Sequence, residues 1–194
     1  MAIYKIFPLQ DATLYSGHPV MNTGIDAILE VSSTYPFTVA NPIVARPLIQ
    51  FDQSQINNVI DTLNTGSTSI SASLKTFISD ASGVVMQSEI YVYPSSGSWN
   101  NGSGEYLDNP STVNGVGWEY RSNSGSNPWL TDNFEENTTG SFITASPGGG
   151  NWYTASSDSR LNLEYSQSFN LRTEKDINMD ITDIVKTWYS SSKS

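Results

Sequence analysis

Short apolar bursts separated by polar turn clusters run along almost the whole chain. Residues 2–7, 27–31 and 48–51 are brief apolar runs with Gly, Pro or Asn nearby, as expected of strands bounded by turns. Over residues 70–78, Ile70, Ala72 and Leu74 alternate with Ser71, Ser73 and Lys75, the period of two that a half-buried strand requires. Residues 84–93 repeat the pattern, with Met86, Ile90 and Val92 on one face and Tyr91 and Tyr93 on the other. Residues 80–83 lie between them as a turn, so the pattern predicts an antiparallel hairpin.

Two segments carry helical spacing instead. Ile56, Val59, Ile60 and Leu63 fall at i, i+3, i+4 and i+7, a stripe that would press a short helix onto a sheet. In INMDITDIVKTWYS, Ile177, Met179 and Ile181 alternate as in a strand, and then Ile181, Ile184, Val185 and Trp188 follow helical spacing. Asp180 or Thr182 is placed to cap that helix. Many short strands, polar turns and one or two short helices predict an all-β fold, an antiparallel β-sandwich or jelly roll. No repeat, heptad or linker divides it, so residues 1–194 read as a single domain.

Composition narrows the classes of function. Only 14% of the 194 residues are charged, and the formal net charge is -10. A surface of that sign repels phosphate backbones and anionic headgroups, so neither nucleic acid nor membrane insertion is expected. There is no cysteine, which removes disulfides and thiol chemistry. The opening MAIYKIFPLQDAT lacks the apolar run of a secretory signal, and no stretch approaches the ~18 consecutive apolar residues of a membrane span.

Catalytic constellations are hard to find. His18, in a polar turn between Gly17 and Pro19, is the sole histidine, too little for histidine-based metal or nucleophile chemistry. The glycines at 148–150 lead into aromatics, unlike a phosphate-binding loop. Asp26 with Glu30, and Glu135 with Glu136, are the acidic pairs, and they read as solvated loop carboxylates. No EF-hand register of calcium ligands is present. The expectation is a protein without catalytic residues, metal or cofactor.

The tryptophans pose the sharper question. Residues 98–129 hold Trp99, Trp118 and Trp129 within a segment otherwise rich in Gly, Ser, Asn and Pro. Such rings either stack on a sugar or anchor a long loop to the core. Trp129, Trp152 and Tyr153 lie in Gly/Pro/Ser loops and are the candidates for carbohydrate binding, although anchoring of the loop is the favoured reading for Trp129 and Trp152. Trp99, Trp118 and Trp188, together with Phe51, Leu74, Ile90, Ile184 and Val185, read as core or anchors.

The segments ATLYSGHPVMNTGIDAILEV, RPLIQFDQSQI, LKTFIS, IYVYPSSGSW, NGVGWEYR, NPW and DINMDITDIVKTWY occur in the order found in DNRLRE-type domains, which are carbohydrate-binding-module-like β-sandwiches. With the opening MAIYKIFP, the whole chain most resembles stand-alone virion structural proteins of marine cyanophage-like tailed phages. Within those segments, Asn22 and Gly24 read as a turn, Arg46 as placed to pair with a carboxylate, and Trp118 as entering a strand after an Asn114-Gly115 turn. In that family the chain usually continues past the helix matching residues 182–190, adding one or two strands. Here it stops at SSSKS, so either the sequence is a truncated version or the edge is filled by a neighbour or a second copy, and a paired or covered edge is expected. The resemblance implies a non-enzymatic virion component of tail, baseplate, neck or capsid surface, made in the host cytoplasm and contacting other virion proteins. The alternative it implies is a carbohydrate-binding module that contacts host-surface polysaccharide.

Overall fold

The computed structural model describes residues 3–34, 43–63, 69–81, 87–95, 97–122, 127–129, 148–150, 165–170 and 176–193. Along the chain these form β1 (Pro8–Tyr15), β2 (Ser32–Thr34), β3 (Ile43–Phe51), α1 (Gln53–Leu63), β4 (Ser73–Thr76), β5 (Ser88–Val92), β6 (Tyr165–Phe169), β7 (Ile177–Asp180) and α2 (Thr182–Lys193). The protein is thus strand-rich, with small antiparallel sheets and two short helices. The chain divides into two compact units.

The first unit gathers Met1–Ile6, Asp52–Pro94 and Asp158–Ser194. Antiparallel pairs β4–β7 and β5–β6 form its sheet elements, with Leu74 opposite Met179 and Ile90 opposite Gln167. The Gln167 side chain bridges the two pairs. Its Nε2 donates to the Asp176 carbonyl (2.9 Å) and its Oε1 accepts from the Asn178 N–H (2.9 Å), so one amide side chain stands in for a strand ladder. Met179, Ile181 and Ile184 form the buried centre, against which Leu74, Ile90, Val92, Tyr165, Val185 and Trp188 pack.

Both helices fall where the apolar stripes placed them. In α1, Ile56 and Ile60 are buried, and Asp52 caps the first turn by accepting from the Ser54 N–H (2.8 Å) and hydroxyl (2.7 Å). In α2 the cap is Asp180, and Thr182 ties the helix start to Ala72, the residue before β4. The Asp180 carboxylate accepts from the Thr182 N–H (2.9 Å), while the Thr182 hydroxyl oxygen accepts from the Ala72 N–H (2.8 Å). The hydrogen bonds from Ser54 and from Thr182 hold the Asp52 and Asp180 carboxyls below the usual carboxylate range.

Among the described residues, the hairpin expected over residues 70–93 is not seen. β4 pairs with β7 and β5 with β6, so the two strands that the pattern joined have other partners. An alternating pattern marks a strand's buried face and leaves open which strand lies beside it.

The second unit comprises Phe7–Phe51 and Ser95–Ser157. Its sheet has the order β1-β3-β2, all antiparallel, with Ala12 opposite Leu48 and Leu14 opposite Arg46. Pro47 sits inside the central strand without breaking it. Its partner Thr13 turns its N–H and carbonyl away from β3, onto the Thr23 hydroxyl (2.9 and 2.8 Å), so Pro47 likewise faces away from β1. On that other side β2 pairs only with Ile43 through Ala45, and the missing N–H of Pro47 leaves no ladder bond unmade.

Two expected strands are absent. Ile3 and Phe7 are 77% and 75% exposed, and strand structure begins only at Pro8, opposite the last residue of β3. Residues 27–31 make no ladder either. The Glu30 N–H donates to the Thr13 hydroxyl (3.1 Å) in place of a strand partner, after a turn in which the Asp26 N–H donates to the Thr23 carbonyl (3.2 Å).

Candidate functional site

The best-defined feature of the second unit is a polar hub. Asn22 is fully buried. Its Nδ2 donates to the carbonyls of Asn101 (2.5 Å) and Val116 (2.8 Å), and its Oδ1 accepts from the N–H groups of Gly104 (2.7 Å) and Gly24 (3.4 Å). Both donors and both acceptor positions of the amide are therefore filled, the condition under which a buried polar side chain stabilises. Four bonds from one residue tie three points of the long loop, at 101, 104 and 116, to the end of the 15–24 segment.

Glycine is required at two points of this hub because backbone lies where a Cβ would go. A methyl on Gly24 would overlap the Asn101 carbonyl, and one on Gly115 would overlap that carbonyl and the Asn22 amide. Asn101 returns a bond, its Nδ2 donating to the Gly24 carbonyl (3.1 Å). Asn114 joins the loop's two limbs, accepting from the Ser103 N–H (3.0 Å) and donating to the Ser103 hydroxyl (2.9 Å). The Asn114-Gly115 turn thus serves cross-loop bonding, and no strand follows it.

Held this way, the loop presents Tyr106 and Leu107 to solvent, 47% and 58% exposed. Leu107 has φ +56°, the left-handed region that side chains seldom adopt, and its N–H donates to the Met21 sulfur (3.3 Å). Tyr106 is fixed through its own N–H, which donates to Asp26 Oδ1 (3.0 Å). Its ring tilts against Tyr15 at 4.9 Å between centroids and meets His18 edge-on at 6.1 Å. Tyr15 in turn donates to Glu30 (3.1 Å). Burial, then the charge and hydrogen bond of Glu30 and the charge of Asp26, push the Tyr15 phenol well above its ordinary value.

Beside Leu107 lies an open hollow of about 290 Å³, lined by His18, Val20, Met21, Leu107, Asp108 and Ser111 among others. Asp108 accepts from the Thr112 N–H at 2.9 and 3.1 Å, and hydrogen bonds from Thr112 hold its carboxyl below the usual range. His18, read from the sequence as a plain turn residue, is one wall of this hollow.

Of the residues expected to bind carbohydrate, Trp129 lies among the described residues. Trp129 is 2% exposed, and its Nε1 donates to the Gly117 carbonyl (3.0 Å), so it offers no free face and acts as an anchor. Trp152 and Tyr153 lie outside the described residues, as do Glu135 and Glu136. Of the expected anchors, Trp118 is buried and Trp99 half-buried, with its carbonyl accepting from Gln10 (2.9 Å). Phe51, Leu74, Ile90, Val185 and Trp188 are half-buried and Ile184 is buried.

Trp118 does not enter a strand. Its carbonyl accepts from the Gly149 N–H (2.5 Å), and its ring lies 4.8 Å beneath the Arg46 guanidinium, which also donates to the Gly149 carbonyl (3.3 Å). Arg46 thus covers an indole. Gly148, Gly149 and Gly150 all have positive φ, the backbone path that lets this segment close over the ring.

Among the described residues no group of His, Asp and Glu has the arrangement of a metal site, and no helix is long and apolar enough to cross a membrane. Sequence reasoning read Asn22 as a turn residue without its role as hub, and missed Tyr106 and Leu107. The legible signal was the run Glu105-Tyr106-Leu107-Asp108, an aromatic and an aliphatic residue side by side in a loop of small polar residues. Comparison of the chain with protein-family models, with curated proteins and with solved structures returned no match.

Proposed function

We propose that this chain is a structural protein of a tailed-phage particle, without a reaction of its own, acting through protein–protein contacts in the tail, baseplate, neck or capsid surface. The observation that carries the reading is the outward display of Tyr106 and Leu107 on a loop whose backbone is fixed from behind by Asn22. Exposed aromatic and aliphatic side chains on a preformed backbone lose little entropy on docking, which suits a permanent assembly contact. The order of segments shared with cyanophage-like virion proteins supports the same reading. The finer fold, a β-sandwich or jelly roll, belongs to this proposal, as does a route in which the chain passes from host cytoplasm directly into the particle.

Cryo-electron microscopy of intact particles, with mass spectrometry of their proteins, is the test. The chain is expected as ordered density contacting other virion proteins. Its absence from purified particles, together with a stable monomer in solution, would defeat the proposal.

A second reading has one observation in its favour: Tyr106, with a half-exposed ring, is bonded through its N–H to the Asp26 carboxylate, and a ring and a carboxylate on one residue pair can also receive a sugar. A glycan array with Tyr106→Ala, Trp152→Ala and Tyr153→Ala variants examines it. Wild-type protein that binds no glycan, or variants that bind as well as wild type, would remove host polysaccharide as a partner.

A further inference from the structure

The hollow beside the displayed loop combines an aliphatic part with the Asp108 carboxylate, and two further carboxylates bond to the neighbouring Tyr106 and Tyr15. Val20, Met21 and Leu107 supply the aliphatic part, and Val20 and Leu107 are well exposed. Asp108 lines the hollow, while Asp26 accepts from the Tyr106 N–H and Glu30 from the neighbouring Tyr15 hydroxyl. The bonding partners of these three carboxylates are neutral: the Tyr106 N–H, the Tyr15 hydroxyl and the Thr112 N–H. Their charges therefore remain uncompensated.

The cationic side chains among the described residues of this unit are Arg46 and Arg121. Arg46 covers Trp118, and Arg121 has its Nε buried. The outward side of the Tyr106 ring adds a π-face to which a cation is drawn. We propose that this surface docks a basic–apolar segment of a partner protein, an arginine or lysine adjacent to an aliphatic or aromatic residue. The aliphatic neighbour would lie in the hollow against Leu107, and the cation would face Asp108, Asp26 and Tyr106. A second copy of the chain is a poor occupant, because a body with a net charge of -10 meets its own kind with repulsion. The inference names the partner for the contact surface proposed above and rests on that surface working in protein association.

The test uses the full chain as bait for a displayed library of random linear peptides, followed by titration of a selected peptide. Two variants keep the fold falsifiable apart from the contact. Leu107→Asn suits the left-handed backbone while removing the apolar side chain. The combination Asp26→Asn, Glu30→Gln and Asp108→Asn keeps an acceptor oxygen at each hydrogen bond while removing the charge. Enriched peptides are expected to pair Arg or Lys with Leu, Ile or an aromatic residue, and each variant is expected to weaken binding by about tenfold or more. The neutralised variant should also lose the salt dependence of binding.

Selection of neutral or acidic peptides, failure to select any, or equal binding by both variants would overturn the inference. Peptide binding and presence in the particle are separate readouts. A chain found in particles that shows no basic preference sinks this inference alone, and a basic preference in a chain absent from particles sinks the assembly role alone.

Discussion

The two compact units reach order by different chemistry. Around Met179, Ile181 and Ile184 the first unit is built of apolar side chains on regular elements, with polar groups at helix caps and one strand-bridging amide. In the second unit, by contrast, the loop region between 99 and 118 has almost no regular structure, and its order comes from hydrogen bonds converging on Asn22 and Asn114. Apolar packing is non-directional and tolerates volume-conserving change. A saturated amide hub is directional, and losing one partner strands several buried groups at once. The more fragile chemistry thus holds the more irregular and more exposed surface.

The comparison is broken most severely at Gly24. A methyl there meets the Asn101 carbonyl, which is backbone and itself held by Asn22, so neither side can yield. Gly24→Ala is expected to cost about 4 kcal/mol or to prevent folding of this unit, read as lost soluble expression or a collapsed melting temperature. Asn22→Ala comes next. It strands two carbonyls and the Gly104 N–H in the interior, for an expected loss of about 3 kcal/mol in denaturant unfolding. Asn22→Asp should be rescued only in part, since it places a carboxylate against two carbonyl oxygens.

The matching cut in the first unit is Ile184→Ala, with an expected loss of about 2–4 kcal/mol from the cavity left beside Met179 and Ile181. Ile184→Leu should recover most of it, whereas no aliphatic residue should rescue position 22. That asymmetry is the sharpest form of the comparison. Gln167→Met keeps the side-chain length but removes the β6–β7 bridge, and about 1–2 kcal/mol is expected to go with it.

The smallest effect is that of acid. The Asp52 and Asp180 carboxyls lie below their ordinary 3.8 in the folded chain, so the stability they contribute is present above 3.8 and is lost as pH falls through the folded values. Helical circular dichroism should therefore decline below about pH 4. Asp52→Asn and Asp180→Asn should flatten that decline.

How much of this was legible in the sequence follows the same divide. The stripe of Ile56, Val59, Ile60 and Leu63 and the change of period at Ile181 located both helices, because each helix buries a face set by its own local spacing. The strand around Leu74 was legible as a strand, but its partner Met179 lies far along the chain, and spacing within one segment carries no trace of it. Ile28 and Val31 read as a strand on composition alone and are in fact exposed. The contacts of Asn22 come from residues 24, 101, 104 and 116, each an ordinary Asn, Gly or Val in a sequence rich in loops. Trp129 reads from the sequence first as a loop anchor and second as a sugar platform, and the fold buries it against Gly97 and Gly117.

Amide hydrogen exchange on wild type and Asn22→Ala, under conditions where both stay folded, tests most directly whether a buried amide prebuilds the Tyr106–Leu107 surface. The expected result is slow exchange at Gly104, Ile25 and Val116 in wild type, about a hundredfold faster exchange there in the variant, and unchanged protection at β4 and β7. Fast exchange at Gly104 already in wild type, or protection there that survives loss of Asn22, would contradict the account.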